Sequence, residues 1–528
     1  MIYRMIRDAV VFFAITGLIF GAFSPQRNVY AGAVQQPEYA GRLDAFLQAQ
    51  MKTYKIPGLA VAIVRDGEVE YTNGYGTANA QGDPVTPGTP FLLASLSKSF
   101  TALGVMQLVE AGKIDLQDPV RDHLPWFTTA GQGSEAITVA DLLYQTSGLS
   151  ELGGQKMNLR PGGTEGLEAG VRALAHEKLN FRPGDGWEYS NSNYSVLGLL
   201  IQEVSGQSYE SYVQENILDP LGMGSSYTSL SDARAGNAAS GYYPFFGIPL
   251  VYDDYMNYTS ASVPGAGLWS SAADMSRYLI AHLDEGRDGD AGLLSAAGMT
   301  KLHQPGAQIA PGYSYAMGWF HAPAFLDREF LKTLKTELNE REDMEVLWHE
   351  GDWDNYKSVM LILPGLEYGV VLLMNTNDPS IASVFRDFAW DATLIATGGE
   401  AYYFQPSEDP IVRYARLIFG GIVLLLLAGL VWSMTRWRRA GQSRERAWRY
   451  LLPLPFNLAL LAYLHLGLLP DNDVDLRILL RSAPDMGLLA VLVTLLTLGW
   501  SLVSVLLFMR ARRAQPARFT GQQAPTPS

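Results

Sequence analysis

Three long uncharged stretches near the C-terminus constrain the fold of this chain more than any other feature. A bilayer core of about 30 Å is crossed by a helix of about 20 apolar residues. The stretches have 19, 21 and 24 residues, so we expect three transmembrane helices at Leu417–Thr435, Tyr450–Pro470 and Met486–Met509. The second contains two prolines, an asparagine and a histidine, which leaves an interfacial or re-entrant segment as the alternative there.

The charges around these stretches predict their orientation. Six arginines separate the first two stretches and four follow the third, whereas four aspartates and two arginines lie between the second and third. Because cytoplasmic loops are rich in Lys and Arg, we expect the arginine-rich sides in the cytoplasm and the acidic loop outside. From Ile411 onward the net charge is +9, so the rest of the chain carries −23 although the total is −14.

The N-terminus agrees with this orientation. Arg4 and Arg7 precede an uncharged run from Ala9 to Gln26, and Ala31-Gly32-Ala33 is a small-x-small cleavage site. Residues 1–33 are therefore predicted to be a signal peptide, with an uncleaved N-terminal anchor as the alternative. Either one exports the segment that follows, as far as about residue 410.

We divide the rest of the chain into an exported domain over residues 34–400, a juxtamembrane linker over 401–416, the membrane region over 417–509 and a disordered cytoplasmic tail over 510–528. The acidic body argues against nucleic-acid binding, which needs a basic surface. The chain has no cysteine. This excludes disulfides, a thiolate zinc site and a cysteine nucleophile.

The exported domain has an α+β pattern. Apolar β-type runs occur early, at Leu59–Val64 and Glu68–Tyr75 around an Asp-Gly turn, and late, between Val346 and Met374. Helical patterns lie between them, notably at Ser97–Gly112 and Ser192–Ser205, and a closing helix is predicted at Ser380–Thr397. This arrangement predicts a sheet assembled from distant parts of the chain with a helical insertion.

One short motif can supply a nucleophile. Ser95-Leu96-Ser97-Lys98 begins a helix, where residues three apart share a face, so the hydroxyl of Ser95 and the amine of Lys98 can meet. A serine needs a base to take its proton, and a lysine serves if burial lowers its pKa. The alternative is a solvated helix start in which Ser95 is only a cap.

Two further elements carry polar groups suited to catalysis. Tyr189-Ser190-Asn191 precedes an apolar helix, and its phenol can move a proton while its amide holds a carbonyl. The same Tyr-x-Asn pattern occurs at Tyr71–Asn73, which looks structural, and at Tyr255–Asn257. His349-Glu350-Gly351-Asp352 ends a strand, with His349 and Gly351 on one face. A lone histidine there is more often structural, and a glycine allows close approach of a substrate backbone.

Taken together and in order, these elements resemble the serine β-lactamase and penicillin-binding-protein superfamily. The likeness is greatest to its class C β-lactamase, D-aminopeptidase and carboxylesterase-like branch, and it covers about residues 40–400. It extends to Leu142–Leu149, where Gln145 replaces the usual histidine of Leu-Leu-x-His-Thr-Ser-Gly-Leu, and to Pro183–Leu197, Pro264–Ser271 and Tyr315–Trp319.

The resemblance implies a role for each motif residue. Ser95 is the acylated nucleophile, Lys98 and Tyr189 share the proton transfers, and Asn191 orients the substrate amide. The backbone N–H groups of Ser95 and Asp352 are expected to form the oxyanion hole. The resemblance requires neither a metal nor another cofactor, and the acyl-enzyme is hydrolysed by water.

The third motif departs from the Lys-Thr-Gly that β-lactamases usually carry. A neutral histidine at position 349 binds a carboxylate less firmly than a lysine, which favours a D-peptide or ester substrate, such as one derived from peptidoglycan, over efficient β-lactam resistance. A true β-lactamase is one alternative, and a penicillin or cell-wall sensor that does not turn over is another. A charged stretch within His321–Glu345 either borders the cleft or is a solvated excursion. The oligomeric state is left open.

Overall fold

The computed structural model describes residues 36–131, 133–151, 166–252, 258–284, 293–323, 344–378, 385–401, 410–437, 447–469 and 475–513. The predicted signal peptide, the Tyr255–Asn257 alternative, most of the charged stretch before Glu345 and nearly all of the tail lie outside these residues. The twelve strands found within them are β1 Gly58–Arg65, β2 Glu68–Gly76, β3 Phe91–Leu92, β4 Tyr242–Phe245, β5 Ile248–Val251, β6 Trp269–Ser270, β7 Ala307–Ala310, β8 Tyr313–Tyr315, β9 Phe320–Pro323, β10 Glu345–Trp353, β11 Tyr356–Leu363 and β12 Tyr368–Met374.

Eight of these strands form one antiparallel sheet in the order β2-β1-β12-β11-β10-β9-β8-β7. The predicted joining of distant parts is confirmed, because Leu59 of β1 pairs with Met374 of β12. The predicted Asp-Gly turn is also present. Asp66 and Gly67 have φ values of 51° and 75°, the left-handed backbone that a two-residue hairpin turn of this kind requires.

The described α-helices surround this sheet or follow it. They are α1 Ala40–Tyr54, α2 Ser97–Glu110, α3 Val120–His123, α4 Val139–Leu143, α5 Leu167–Arg172, α6 Asn191–Ser205, α7 Tyr209–Val213, α8 Leu230–Ala235, α9 Ala272–Leu283, α10 Ala296–His303, α11 Phe385–Ala396, α12 Pro410–Thr435, α13 Pro453–Ala462, α14 Leu476–Ser482 and α15 Pro484–Arg513. A 3₁₀ turn, Ala94–Leu96, leads into α2. The predicted α+β class is confirmed.

Alternation along the central strands buries both faces of the sheet. In β1, the side chains of Leu59, Val61 and Ile63 belong to a core that they share with α1 and α11. The intervening Ala60 and Ala62 face the larger core, which contains α2, α6 and α9. A sheet covered on both faces explains why β1 is apolar throughout rather than alternating with polar residues.

Three helical segments near the C-terminus are long and apolar enough to cross a membrane. They are Tyr414–Thr435, Ala447–Leu468 and Pro484–Arg513, in agreement with the three predicted stretches. The first helix already begins at Pro410, inside the predicted linker, because the arginines that ended the uncharged stretch do not interrupt a helix. The asparagine and histidine of the second segment bond to α15: Asn457 donates to Ser501 at 3.2 Å, and His465 contacts Thr494 at 3.0 Å.

A buried carboxylate joins the catalytic body to this helical region. Asp485, the second residue of α15, is fully buried and accepts hydrogen bonds from Tyr243 Oη at 2.6 Å and Arg416 Nε at 2.6 Å. Arg416 of α12 also donates to Asp378, just after β12, at 2.8 Å. Two helices of the membrane region are thereby bonded to two separate segments of the body.

The turn between β8 and β9 lies directly on the first turn of α2. Gly318 has a φ of +78°, and a Cβ there would lie 2.8 Å from Ser99 Cα and 2.9 Å from the Lys98 carbonyl oxygen. We expect Gly318→Ala to lower the free energy of unfolding by about 1–3 kcal/mol, because both the backbone strain and the contact oppose a side chain.

Thermal unfolding of the full-length protein in detergent measures this loss. Gly365→Ala is the matched control, since a Cβ there meets nothing within 4 Å. Equal melting temperatures for the two variants would contradict the role assigned to Gly318.

Candidate active site

Ser95 lies at a strained turn between a short strand and a buried helix. Leu93 N–H donates to Leu268 O at 2.8 Å, and Ala94 has a φ of +47°, which alanine rarely adopts. Ser97 Oγ then accepts from Leu268 N–H and donates to Ala94 O, at 3.0 and 2.7 Å. This bonding holds the strained backbone in place, and such strain concentrates at functional sites.

The helix that follows Ser95 is buried on nearly all sides, and its polar residues have partners. Ser97 through Met106 are buried. Ser99 Oγ donates to Leu96 O and Thr101 Oγ1 to Pro264 O, at 2.8 and 2.6 Å. A helix packed on all sides is a rigid support, so α2 fixes the position of its one lysine.

Lys98 is fully buried, with three polar contacts at its amine. Nζ lies 3.0 Å from Ser95 Oγ, 2.6 Å from Asn191 Oδ1 and 2.8 Å from the Gly265 carbonyl oxygen. Burial lowers the pKa of Lys98 well below its ordinary value, and the Glu151 carboxylate opposes this only in part. A neutral amine has two N–H groups and one lone pair. The two carbonyl-type acceptors take the N–H groups, and the lone pair is left for the Ser95 hydroxyl.

Tyr189 and Asn191 meet this pair from the start of α6. Tyr189 is half-buried, and its hydroxyl group is close enough to the Ser95 side chain to interact with it, so the serine hydroxyl lies between a phenol and an amine. Burial raises the pKa of Tyr189 well above its ordinary value, which keeps the phenol protonated. Asn191 uses its amide oxygen for Lys98, which leaves its NH₂ group available to a ligand.

His349 is buried behind these groups and held as a neutral imidazole. Burial lowers its pKa to about 3, with a smaller contribution from Lys98. Nδ1–H donates to the Glu350 carbonyl at 2.6 Å, since that oxygen can only accept, and Nε2 accepts from Tyr315 Oη at 3.2 Å. Both ring nitrogens therefore have partners within the protein.

Gly351 is required by the chain itself. A Cβ there would lie 2.3 Å from the Leu93 carbonyl oxygen and 2.2 Å from Ser358 Oγ. Close packing of β10 on the turn that carries Ser95 is therefore one reason for this glycine. A contact between Gly351 and substrate stays a prediction.

The backbone of Asp352 lies at an open edge of the sheet. Trp353 and Tyr356 pair across a two-residue turn, and the alternation of an antiparallel ladder then directs the Asp352 N–H away from β11. On that other side, β9 pairs with β10 only as far as Trp348. The N–H group is therefore available at the edge that adjoins the Ser95 turn.

Asp352 and the neighbouring Trp353 are held by two residues that the sequence analysis missed. Lys357, buried on β11, lies with Nζ 2.5 Å from Asp352 Oδ1, and Asn377 donates to the Trp353 carbonyl at 2.8 Å. No spacing rule links Lys357 to the motif, because the pairing depends on the β10–β11 register. In the sequence, β10 and β11 were visible only as two apolar runs, which do not reveal their register.

The sequence analysis also missed the role of Gln145. It is fully buried with a φ of +64°. Its side-chain oxygen accepts from Ser190 N–H at 2.9 Å and from the Asn193 amide, and its backbone carbonyl accepts from Glu188 N–H at 3.1 Å. Gln145 thereby holds both sides of Tyr189. The sequence marked this position only as a departure from the usual histidine.

The structure brings Ser95, Lys98, Tyr189 and Asn191 into mutual contact, with His349 beside them. Tyr71–Asn73 is elsewhere: Tyr71 Oη bonds to Asp44, on the far side of the sheet. Among the described residues, no group of three or more His, Asp or Glu side chains is arranged to hold a metal ion. The arrangement pairs a serine hydroxyl with a buried amine whose pKa is lowered by that burial.

The neutral state of His349 makes stability depend on pH. Its pKa is about 3 in the folded protein and about 6.5 when unfolded, so the unfolded state binds more protons between these values. Stability from this group is complete above pH 6.5 and falls by about 1.4 kcal/mol per pH unit as the pH drops toward 3.

His349→Asn cannot titrate in this range and is the comparison. We expect the difference in unfolding free energy between wild type and variant, measured by chemical denaturation, to be constant above pH 6.5 and to shrink below it. A difference that does not change with pH would show that the imidazole is not held neutral.

Comparison with known proteins agrees with this geometry. The Beta-lactamase family matches residues 43–393. Protein flp of Staphylococcus aureus (strain COL) is 27% identical over 491 residues, covering 89% of this chain and 91% of that protein. Unguisins hydrolase ungD' of Aspergillus campestris (strain IBT 28561) is 29% identical over 341 residues, covering 61% of this chain and 59% of that protein.

Solved structures share the same architecture. The octameric penicillin-binding protein homologue from Pyrococcus abyssi superposes with a TM-score of 0.58 at 26% identity, covering 71% of this chain and 80% of that one. A class C beta-lactamase superposes with a TM-score of 0.56 at 22% identity, covering 69% of this chain and 98% of that one, a likeness of fold alone. The chain belongs to the Beta-lactamase family, with three apolar helices after its catalytic fold.

Proposed function

We propose that this protein is an exported, membrane-anchored serine hydrolase that works through an acyl-enzyme on Ser95, with D-amino-acid peptides or esters, cell-wall-related, as its substrates. The observation that carries the proposal is the 3.0 Å contact between Ser95 Oγ and a fully buried Lys98 amine. A membership in the Beta-lactamase family and a relative named as a hydrolase support the same chemistry.

Lys98 is the base that activates Ser95. In the neutral state that burial favours, its lone pair takes the hydroxyl proton while Asn191 and Gly265 hold the amine in place. The amine becomes an ammonium at the moment when the serine oxygen attacks. The three contacts already around Nζ then match the three N–H groups of that ammonium.

Tyr189 passes a proton to the leaving group. Its hydroxyl interacts with the Ser95 side chain, and its ring centroid lies 4.7 Å from Lys98 Nζ, so one phenol is close to both groups. A protonated tyrosine donates to the departing amine or alcohol and is reprotonated from the lysine side. Asn191 donates its remaining NH₂ group to the carbonyl of the substrate amide and so orients that amide.

Two backbone N–H groups complete the site. Those of Ser95 and Asp352 belong to the two elements that pack together at Gly351, and they stabilise the negative charge that develops on the substrate carbonyl oxygen. The carbonyl carbon bonds to Ser95 Oγ, and the leaving group departs with a proton. A water then attacks the acyl-enzyme and loses its proton to Lys98, which returns a proton to Ser95 Oγ as the ester bond breaks and the acid is released.

The third motif favours peptides or esters over penicillins. His349 is neutral, and Tyr315 and the Glu350 carbonyl already bond both of its nitrogens. It therefore offers no fixed positive charge for the carboxylate of a β-lactam. The site suits a substrate whose recognition does not depend on a cation at this position.

A substrate panel on the full-length protein in detergent tests the proposal. It contains a short acyl ester, D-Ala peptides and a chromogenic cephalosporin, and Ser95→Ala is the control. We expect turnover of the ester or a D-peptide to exceed that of the cephalosporin, and Ser95→Ala to lower kcat by at least about 10³-fold, because the nucleophile is lost.

The other outcomes separate the alternatives. Preferred hydrolysis of the cephalosporin would favour a true β-lactamase. A stable penicillin adduct on Ser95 without turnover would favour a sensor. Neither turnover nor an adduct with a penicillin or an acyl phosphonate would refute the hydrolase.

The proposed topology places the catalytic body and the acidic loop outside and the C-terminus in the cytoplasm. The arginines that flank the three apolar helices support it. Because the chain has no cysteine, single cysteines report sidedness without background from the protein.

We expect a membrane-impermeant maleimide added to intact cells to label Ser231→Cys in the body and Asn472→Cys in the acidic loop. Ser443→Cys in the arginine-rich loop is the matched control, and it should react only after the cells are permeabilised. The reverse pattern for the two loops would overturn the orientation.

A further inference from the structure

The hairpin formed by β4 and β5 is the most apolar exposed feature of the catalytic body. Six large apolar side chains are exposed among the described residues before α12, and four of them lie in this hairpin: Phe246, Ile248, Leu250 and Val251. They are 38–58% exposed. The chain carries no charged residue from 235 to 252. Clustered apolar side chains of this kind mark a surface that another apolar phase covers.

Strand pairing leaves the outer strand of the hairpin uncovered. Among the strands that the structure describes, β5 pairs only with β4, in the register Tyr243 to Leu250 and Phe245 to Ile248, and every residue of β5 is exposed. An exposed apolar edge strand in water is a liability that proteins usually cover or break with charges. Here no charge interrupts the strand.

The tip of the hairpin is bonded to the end of a predicted transmembrane helix. Phe246 N–H donates to Asp485 Oδ2 at 2.9 Å, and Tyr243 Oη donates to Oδ1 of the same carboxylate. Asp485 immediately precedes the uncharged stretch that begins at Met486. The tip is therefore level with the boundary where α15 enters the apolar part of a bilayer.

The residues around the tip suit such a boundary. Phe246 and Gly247 turn the chain with φ values of 49° and 79°, which projects two adjacent phenylalanines at the end of the hairpin. Lys55 Nζ donates to the Gly247 carbonyl at 2.8 Å. This places an ammonium group where lipid phosphates lie, and aromatic residues favour the same interfacial region.

We propose that the tip of the β4–β5 hairpin inserts into the interfacial region of the outer leaflet of the membrane that α12, α13 and α15 span. The occupant of its apolar surface is lipid, because the hairpin is continuous with the membrane helices through Asp485. The proposal rests on the membrane-spanning role of these helices and goes beyond the hydrolase function.

Insertion also sets the height of the active site above the bilayer. At the base of the hairpin, Tyr242 N–H donates to Asn375 O at 2.8 Å, and Asn355 in the β10–β11 turn donates to the Tyr252 carbonyl. Four residues of β4 span about 13 Å. The open edge of β10 that bears Asp352 is thus held close to the membrane surface.

A fluorescent probe at single cysteines tests the insertion. The full-length protein carries Ile248→Cys or Leu250→Cys labelled with an environment-sensitive nitrobenzoxadiazole, and it is reconstituted into vesicles of phosphatidylethanolamine and phosphatidylglycerol. Ser231→Cys, on an exposed part of the same body, is the matched control. Ester hydrolysis by each labelled protein checks that it is folded.

We expect the hairpin probes to lose most of their emission when the vesicles contain nitroxide lipids labelled near the headgroup end of the chain, and to resist quenching by iodide. The Ser231→Cys probe should behave in the opposite way. Hairpin probes that iodide quenches and nitroxide lipids do not would overturn the proposal. Protection from both quenchers would also overturn it, because a second copy or another protein would then cover the strand.

Discussion

The contact between Lys98 and Ser95 depends on a condition that the whole body must maintain, which is the exclusion of water from a primary amine. In water this amine would be protonated and could not accept the serine proton. The fold meets the condition by placing α2 in the middle of the larger core. The hydroxyl groups of this helix bond to neighbouring backbone carbonyls or to tyrosines of other helices, so the helix carries them into the interior without leaving them unpaired.

The need to exclude water from the Lys98 amine also explains the unusual backbone around the site. Gly351 and Gly318 are both positions where a side chain would collide with the turn or helix that carries the nucleophile. Gly351 lies on β10 and packs on the turn before α2. Gly318 lies between β8 and β9 and packs on the first turn of α2, so two parts of the sheet hold the nucleophile in place. The strain at Ala94 persists because the neighbouring elements are too closely packed to let the turn relax.

Local patterns in the sequence were sufficient to predict the strands and helices named in the sequence analysis and part of the site. The i, i+3 spacing predicted that Ser95 and Lys98 meet, and β-type runs at opposite ends of the body predicted the sheet. Lys357 and Gln145 were beyond reach, because each acts through a partner that only the tertiary fold brings near. Gly265 was visible inside a family-like segment, yet its carbonyl role depends on where that segment packs. Gly351 was singled out by residue type, and its close packing against the Leu93 carbonyl is a reason for this glycine that the sequence alone could not reveal.

The C-terminal apolar helices also form polar contacts with the body, which anchoring alone would not require. Arg416 of α12 bonds Asp485 of α15 and Asp378 of the body, and the neighbouring Asn377 bonds the Trp353 carbonyl at the end of β10. A continuous set of polar contacts therefore runs from the membrane helices to the strand that bears Asp352. Removing Arg416 would leave the carboxylate of Asp485 buried without its cationic partner, which costs far more than losing an exposed ion pair. These contacts consequently hold the body against the first and third of the C-terminal apolar helices.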